Sequence, residues 1–329
     1  MDNRSVKARP VLKWAGGKRQ LAQTIDDHLP PEVKNGTITT YVEPMFGGGA
    51  VFFHMKEKYG ASLKNYFISD YNWDLFVLYS VIKTDVEDLI KELKLLSQEY
   101  LPLPPTQQGE KTGQRISMYL RIREEYNHDD WLQMRYEADG VTHKKVFNKK
   151  WIRRAAMTIF LNRTCFNGLY RVNSSGKFNV PHGRYAKPDI VNAVNLRAVS
   201  SALVDVEISV GSYAENLEMV DEHSFVYFDP PYRPLPGTAS FTTYHKAPFG
   251  DEQQRLLCEC FEELHRRGAK LMLSNSDPKN TDESDNFFDD LYNHQDFSIH
   301  RVGANRNINS DGAKRGQVFE ILVTNYEVD

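Results

Sequence analysis

Thr37-Ile38-Thr39-Thr40-Tyr41-Val42-Glu43-Pro44-Met45-Phe46-Gly47-Gly48-Gly49-Ala50-Val51-Phe52-Phe53 is the stretch on which the fold turns. Thr37 to Val42 is β-branched and aromatic, which predicts a strand closing at Glu43-Pro44. Gly47-Gly48-Gly49 predicts a turn, and the apolar run from Ala50 to Lys58 predicts a helix. Strand, glycine turn and helix are how open α/β sheets approach a nucleotide-like ligand, because residues without Cβ let the backbone come close. Asn65 to Ser69 predicts the next strand, ending at Asp70. An acid at that point can accept hydrogen bonds from a ribose. Glu43, Gly47, Gly49 and Asp70 are therefore candidate cofactor-binding residues. The turn does not read Gly-x-Gly-x-x-Gly, so a nicotinamide dinucleotide is not favoured.

Working outward, Asn72 to Ile82 predicts a helix with Leu75, Leu78, Tyr79 and Ile82 on one face. Asp85 then caps a further helix to about Tyr100. Leu101-Pro102-Leu103-Pro104-Pro105 opens a loop. Helical spacing resumes near Gln114–Glu125 and Lys149–Leu161, where Trp151, Ile152, Ala155, Ala156, Ile159 and Phe160 keep one face apolar. Phe166 to Tyr185 is rich in Asn and Gly around the turn Asn173-Ser174-Ser175-Gly176, which predicts a β-hairpin. The α/β pattern returns with a strand at Ser224–Phe228, a helix at Asp251–Arg267 and a strand at Lys270–Ser274. Phe297–Val302 and Val318–Tyr326 read as closing strands. The expected architecture is a Rossmann-like α/β domain in two sequence pieces, 1–84 and 190–329. A mostly helical insertion, 85–189, interrupts it and carries the hairpin.

The chain has 329 residues, 40% hydrophobic and 26% charged, the composition of an ordinary globular protein. It is long enough to bury a core without disulfides or metals. It contains no apolar run long enough for a membrane span, and no secretory leader is expected behind Met1–Ser5. Cys165, Cys258 and Cys260 are an odd number without metal-ligand spacing, which points to a reduced, cytoplasmic setting and no metal. The net charge is −3, but its distribution is uneven. Lys144, Lys145, Lys149, Lys150, Arg153, Arg154, Arg163, Arg171, Lys177, Arg184 and Lys187 follow one another with no acid between them. Such a stretch is a solvated basic face or a polyanion-binding surface. On the second reading Lys149, Lys150, Arg153 and Arg154 meet phosphates.

Asp229-Pro230-Pro231-Tyr232 directly follows the apolar strand Ser224–Phe228. Two prolines fix the backbone and remove two amide donors. The Asp229 carboxylate and the Pro230 carbonyl are left as acceptors, with a flat ring, Tyr232, beyond them. Two acceptors and an aromatic plate suit a planar group that carries an NH₂. Asp229, Pro230 and Tyr232 are the candidate catalytic residues.

These motifs together resemble the Dam-type, α-class DNA adenine-N6 methyltransferases, most closely the GATC-specific methylases of streptococcal restriction systems. The resemblance spans nearly the whole chain. It rests on Lys13-Trp14-Ala15-Gly16-Gly17-Lys18, on Glu43–Gly49, and on Asn167-Gly168-Leu169-Tyr170-Arg171-Val172-Asn173. Phe178-Asn179-Val180-Pro181-His182-Gly183-Arg184-Tyr185, Asp229–Tyr232 and Phe241-Thr242-Thr243-Tyr244-His245 complete it. The family turn carries Phe where Met45 stands, and residues 101–147 match least well. The resemblance implies S-adenosylmethionine as methyl donor, held by Trp14, Lys18, Asp70 and Asp229. It also implies a cytoplasmic, monomeric bacterial or phage enzyme that flips an adenine out of duplex DNA, within GATC. Phe166 would fill or wedge the gap left by the flipped base, or else is an ordinary core aromatic. Arg171 would read a guanine edge, and Leu169, Pro181 and Tyr185 would lie at the DNA interface. Two alternatives stand beside this: cytosine-N4 as the acceptor, since any exocyclic amine on a planar ring meets the requirement, and a non-catalytic DNA-binding relic of the fold.

Overall fold

The computed structural model describes residues 6–14, 16–128, 149–215, 217–234, 249–305 and 317–328. The chain divides into two units. Gly16–Tyr71 and Asp205–Asp329 form a sheet unit, and Met1–Ala15 and Asn72–Val204 form a helical unit.

The sheet unit holds β1 (Thr40–Glu43), β2 (Asn65–Asp70), β3 (Val206–Val210), β4 (Ser224–Phe228), β5 (Lys270–Ser276), β6 (Ser298–Asn305) and β7 (Gln317–Thr324). They join in the order β3-β2-β1-β4-β5-β7-β6. The neighbours from β3 through β5 pair in parallel, with Val42 opposite both Phe67 and Val226. β7 runs antiparallel to β5 and β6. The chain steps outward from β1 through β2 to β3, then restarts on the other side of β1 with β4. In a doubly wound sheet, a crevice opens beyond the carboxyl ends of the strands where the order reverses. Here those ends are Glu43, which opens the glycine turn, and Phe228, which precedes Asp229-Pro230. Topology thus brings together two motifs that lie far apart in sequence.

β4 is buried at all five positions. Both faces of a central parallel strand are covered, which is why Ser224–Phe228 reads as a continuous apolar run. Val226 and Phe228 pack with Leu257, Phe261 and Leu264 of the helix Asp251–Arg266, and with Leu271, Leu273, Ile321 and Val323 of β5 and β7. Asp251 and Glu252 in that helix's first turn, and His265 and Arg266 in its last, suit the helix dipole.

In the helical unit, Asn72 caps the helix Trp73–Tyr100 by accepting from the Asp74 amide at 2.9 Å. The expected break at Asp85 is present as one non-helical residue (φ −138°, ψ 41°) inside an otherwise continuous run. Helices Gln114–Tyr126 and Lys149–Thr164 stand close to their expected bounds. A buried ion pair ties these helices together. Arg154 Nε donates to Asp74 Oδ1 at 2.9 Å, the Tyr170 hydroxyl donates to Asp74 Oδ2 at 2.5 Å, and Arg154 also reaches the Tyr126 carbonyl.

The hairpin is minimal. Its two arms meet in single bridges, Cys165 with His182 and Val172 with Phe178, rather than in a ladder. Helix side chains supply the remaining order. Tyr119 donates to the Val180 carbonyl at 2.7 Å, and Asn127 exchanges two hydrogen bonds with Phe178 at 2.7 and 2.9 Å. Tyr100 meets His182 Nε2 at 2.6 Å, and Arg115 caps the carbonyls of Leu101, Leu103, Tyr185 and Ala186. At the turn, the Asn173 side chain accepts from Ser175 and Lys177 amides. The segment is held by external partners rather than by its own strand pairing.

Candidate active site

Lys18 is the hub of the sheet unit's polar centre. It is 2% exposed. Its ammonium donates to Asp229 Oδ1 at 2.5 Å, to the Tyr232 hydroxyl at 3.1 Å and to the Gly16 carbonyl at 3.3 Å. Three protons thus have three acceptors, and Glu320 Oε2 lies 3.6 Å away. Burial pushes its pKa down, but Asp229, Tyr232, Tyr227 and Glu320 together reverse this and hold it well above the usual lysine range.

Asp229 is the natural partner. Besides Lys18, its Oδ1 accepts from the Ser274 hydroxyl at 3.2 Å, and Tyr227 braces that serine at 2.8 Å. No described residue donates to Asp229 Oδ2 or to the Pro230 carbonyl. The next carbonyl, Pro231, is taken by Gln254 Nε2 at 3.3 Å, from a side chain with no exposure. The turn therefore presents two acceptors, as its sequence implies, and a buried glutamine secures its far side. Burial raises the Asp229 pKa, Lys18 opposes the rise, and Glu320 adds to it. Tyr232 lies with its ring centroid 4.8 Å from Lys18 Nζ, and its hydroxyl donates to Glu320 Oε1 at 2.9 Å. Arg233 then anchors the outgoing chain through Asp251 and Asp285, both at 2.6 Å.

The glycine turn is built from inside. Glu43 is 2% exposed. Its carboxylate accepts the Tyr41 hydroxyl at 2.7 Å and the Phe52 backbone N–H, at the start of the helix Ala50–Tyr59. Burial drives its pKa well up, the Tyr41 bond opposes this, and Asp229 and Asp70 add to it. Gly47 and Gly49 have φ of 51° and 72°, a region that side chains with Cβ resist. Asp70, at the end of β2, accepts the Gly47 amide on Oδ2 at 2.8 Å. That bond ties the ends of β1 and β2 into one rim. Glu43, Gly47, Gly49, Asp70, Lys18 and Asp229 all belong to this unit and lie on or beneath that rim. Met45 packs, partly buried, against the core beneath β4.

The helical unit carries the remaining expected residues. Trp14 sits with its ring 5.1 Å from Tyr170 at a 34° tilt. Phe166 and Leu169 are 52% and 38% exposed, large apolar side chains at the start of a polar segment. Asn167, between them, takes φ 56°. Arg171 Nε donates to Asn179 Oδ1 at 2.7 Å, and no described residue accepts from its two terminal nitrogens. Pro181 is exposed, and Tyr185 lies under the Lys13 ammonium at 5.3 Å. Lys150 is exposed. The Lys149 side chain lies outside the described residues, as do Lys144, Lys145 and Phe241–His245.

The structure corrects two phosphate assignments. Arg154 is 4% exposed and spent on Asp74. Arg153 forks onto Glu125 at 2.8 and 2.6 Å and onto Glu92 at 2.8 Å. The acids that neutralise them lie outside the basic stretch in sequence, so an acid-free run did not mean unpaired charge.

Ser274, Gln254 and Glu320 belong to the site but carry no motif. Their sequence signal is a polar residue inside an apolar element: Ser274 in Leu271–Ser276, and Glu320 in Val318–Val323. Among the described residues, no cluster of three or more His, Cys, Asp or Glu could hold a metal ion. No described helix is long and apolar enough to cross a membrane.

A doubly wound sheet with a glycine turn after β1, an acid after β2 and an acceptor-rich turn after β4 is a Rossmann-like S-adenosylmethionine-dependent methyltransferase fold. The family described as D12 class N6 adenine-specific DNA methyltransferase matches residues 14–308, and the chain belongs to it. Among relatives, the type II methyltransferase M.MjaIII of Methanocaldococcus jannaschii is 44% identical, over 98% of this chain and 100% of its own. The type II methyltransferase M1.LlaDCHI of Lactococcus lactis subsp. cremoris is 34% identical, over 99% and 98%. The DNA adenine methylase of Escherichia coli is 33% identical, over 96% and 95%. Family membership favours adenine N6 over cytosine N4, and an enzyme over a relic.

Proposed function

We propose that the chain methylates the exocyclic N6 of adenine in duplex DNA, within GATC, by direct transfer to a flipped base. The observation that carries this reading is the pair of open acceptors, Asp229 Oδ2 and the Pro230 carbonyl, beside Tyr232. Adenine's amino nitrogen is a poor nucleophile because its lone pair is conjugated with the ring. Two hydrogen bonds donated by that NH₂ to Asp229 and Pro230 draw the nitrogen towards tetrahedral geometry. Lys18 and Ser274 fix the other Asp229 oxygen, so the carboxylate does not have to reorient during the reaction. Placement of two reactants is worth about 7–11 kcal/mol at best.

The residues present fit the methyl donor the family implies. Asp70 would offer a ribose acceptor, Gly47 and Gly49 would let the backbone approach, and Lys18 would supply positive charge for the methionine carboxylate. Trp14 would offer the donor an apolar ring, and Glu43 supports the turn. When bound, S-adenosylmethionine supplies a methyl already activated by a positive sulfur.

A stacked base cannot reach such a turn, so extrusion costs a few kcal/mol. Tyr232 stacking offsets part of that, and exposed Phe166 suits the gap left behind. Residues 85–189 serve as the target-recognition region. Arg171 meets a guanine O6 and N7 with the two nitrogens that Asn179 leaves open. Leu169, Pro181 and Tyr185 line the base-reading side, and Lys149 and Lys150 meet phosphates. The enzyme works in the cytoplasm and as a monomer.

The test is expression in a methylation-free host followed by mapping of methylated genomic DNA. N6-methyladenine in GATC is expected, and Asp229→Ala should abolish it while purified protein still binds duplex. A different methylated consensus would overturn the GATC reading alone. Methyl transfer by Asp229→Ala at more than a tenth of the wild-type single-turnover rate would overturn the mechanism.

A further inference from the structure

We propose that Glu320 is a positioning residue for methyl transfer, aligning the Tyr232 ring against the acceptor base. The inference rests on the adenine-N6 reading above and extends it to a residue on β7 that no motif contains.

Glu320 is the only acid in the run Val318–Val323, on a strand that pairs with β5 on one side and β6 on the other. Its side chain is 12% exposed. A carboxylate in that setting is costly unless its oxygens are engaged. Oε1 accepts the Tyr232 hydroxyl at 2.9 Å, while Oε2 receives no hydrogen bond among the described residues and lies 3.6 Å from Lys18 Nζ. The Tyr232 hydroxyl is thus held from two sides, accepting from Lys18 at 3.1 Å and donating to Glu320.

A phenol with one partner can swing about that contact, whereas one fixed at both lone pair and proton cannot. A tyrosine that only filled space would need neither. The ring on which the proposed target base stacks is held at its hydroxyl by both groups, and Glu320 is the half of that clamp supplied by β7. Lys18 donates to Asp229 as well, whereas the one hydrogen bond that Glu320 accepts among the described residues comes from the ring hydroxyl.

The experiment is a double-substitution cycle of single-turnover methyl transfer on a GATC duplex, with saturating cofactor. Mass analysis of wild-type product for N6-methyladenine runs beside it and tests the underlying reading separately. Glu320→Ala should slow transfer about tenfold, the rate equivalent of one charge-assisted hydrogen bond. Cofactor affinity should change less than the rate does. Glu320→Gln keeps an acceptor oxygen for the hydroxyl and should recover most of the rate. In a Tyr232→Phe background, which has no hydroxyl to hold, Glu320→Ala should cost little more. An equal loss from Glu320→Ala with and without the hydroxyl would overturn the proposal, as would a wild-type rate in Glu320→Ala. If the alanine variant does not fold, Glu320→Gln in the two backgrounds decides: a Gln variant as slow as Tyr232→Phe would sink the idea.

Discussion

At the scale of single residues, the site turns on one lysine shared between two carboxylates. On the proposed mechanism an ionised Asp229 is the stronger acceptor for the amine's hydrogen bonds, yet burial and Glu320 raise its pKa while Lys18 and Ser274 pull it down. The sign of the pH response follows. A carboxylate with a raised pKa is neutralised at a higher pH than a free aspartate, whose value is about 3.9. Methyl transfer should therefore fall on the acid side at a pH above that value, with an apparent midpoint belonging to the coupled cluster. Lys18→Met removes the largest opposing influence, so its acid limb should move to still higher pH. Single-turnover rates across pH, on preformed complexes, measure both limbs. A limb that moves to lower pH in Lys18→Met would contradict the assignment of Lys18 as the group that keeps Asp229 ionised. Asp229 was legible in the sequence because two prolines leave its acceptors conspicuous. Glu320 was not, because its partners come from elements 88 and 302 residues away, Tyr232 and Lys18.

At the scale of elements, the strand–turn–helix that opens the fold was readable because each part has its own local signature. Helix Ala50–Tyr59 and strand β4 stand where their apolar patterns end. β3 was missed for a physical reason: Val206–Val210 is an edge strand, buried only at its first residue, and lacks the apolar run of a central one. The helix Ala193–Ala202 before it was missed as well, with only Leu196 and Val199 buried. The glycine turn makes the sharpest element-level forecast. An alanine Cβ at Gly49 would stand 2.3 Å from Phe46 Cζ, in a ring packed edge-on against Phe52 and Phe53. The left-handed φ alone costs about 1–2 kcal/mol. Gly49→Ala should therefore lower the unfolding midpoint and weaken cofactor binding together, read by thermal denaturation and direct titration. Gly176→Ala is the control, because its φ is also positive but nothing lies near its Cβ. It should pay the backbone cost only and leave cofactor affinity unchanged. Equal effects at the two glycines would show that Phe46 yields and that the turn is not held by close packing.

At the scale of the whole molecule, a net charge of −3 conceals a division of labour among basic residues. Arg153 and Arg154 hold helices together, and Arg163 donates to the Val11 carbonyl at 2.5 Å. Arg171 differs from them, since one of its nitrogens is spent on Asn179 and the two terminal ones point to no described acceptor. Orientation by a neighbour with the fork left open is what bidentate base reading needs. A mere phosphate contact needs only charge. The two roles separate in one experiment. Arg171→Ala should lose about 1–3 kcal/mol of discrimination at a single base position, with methylation spreading to near-cognate sites. Lys150→Ala should weaken binding to specific and random duplexes alike, and should flatten the slope of log affinity against log salt by about 0.9. Asn179→Ala supplies the decisive comparison, because it leaves the Arg171 charge in place and removes only its support. If Arg171 reads a base, that variant should follow Arg171→Ala in specificity while keeping the wild-type salt slope. If it instead follows Lys150→Ala, the arginine contributes charge alone and the recognition code lies elsewhere in the chain.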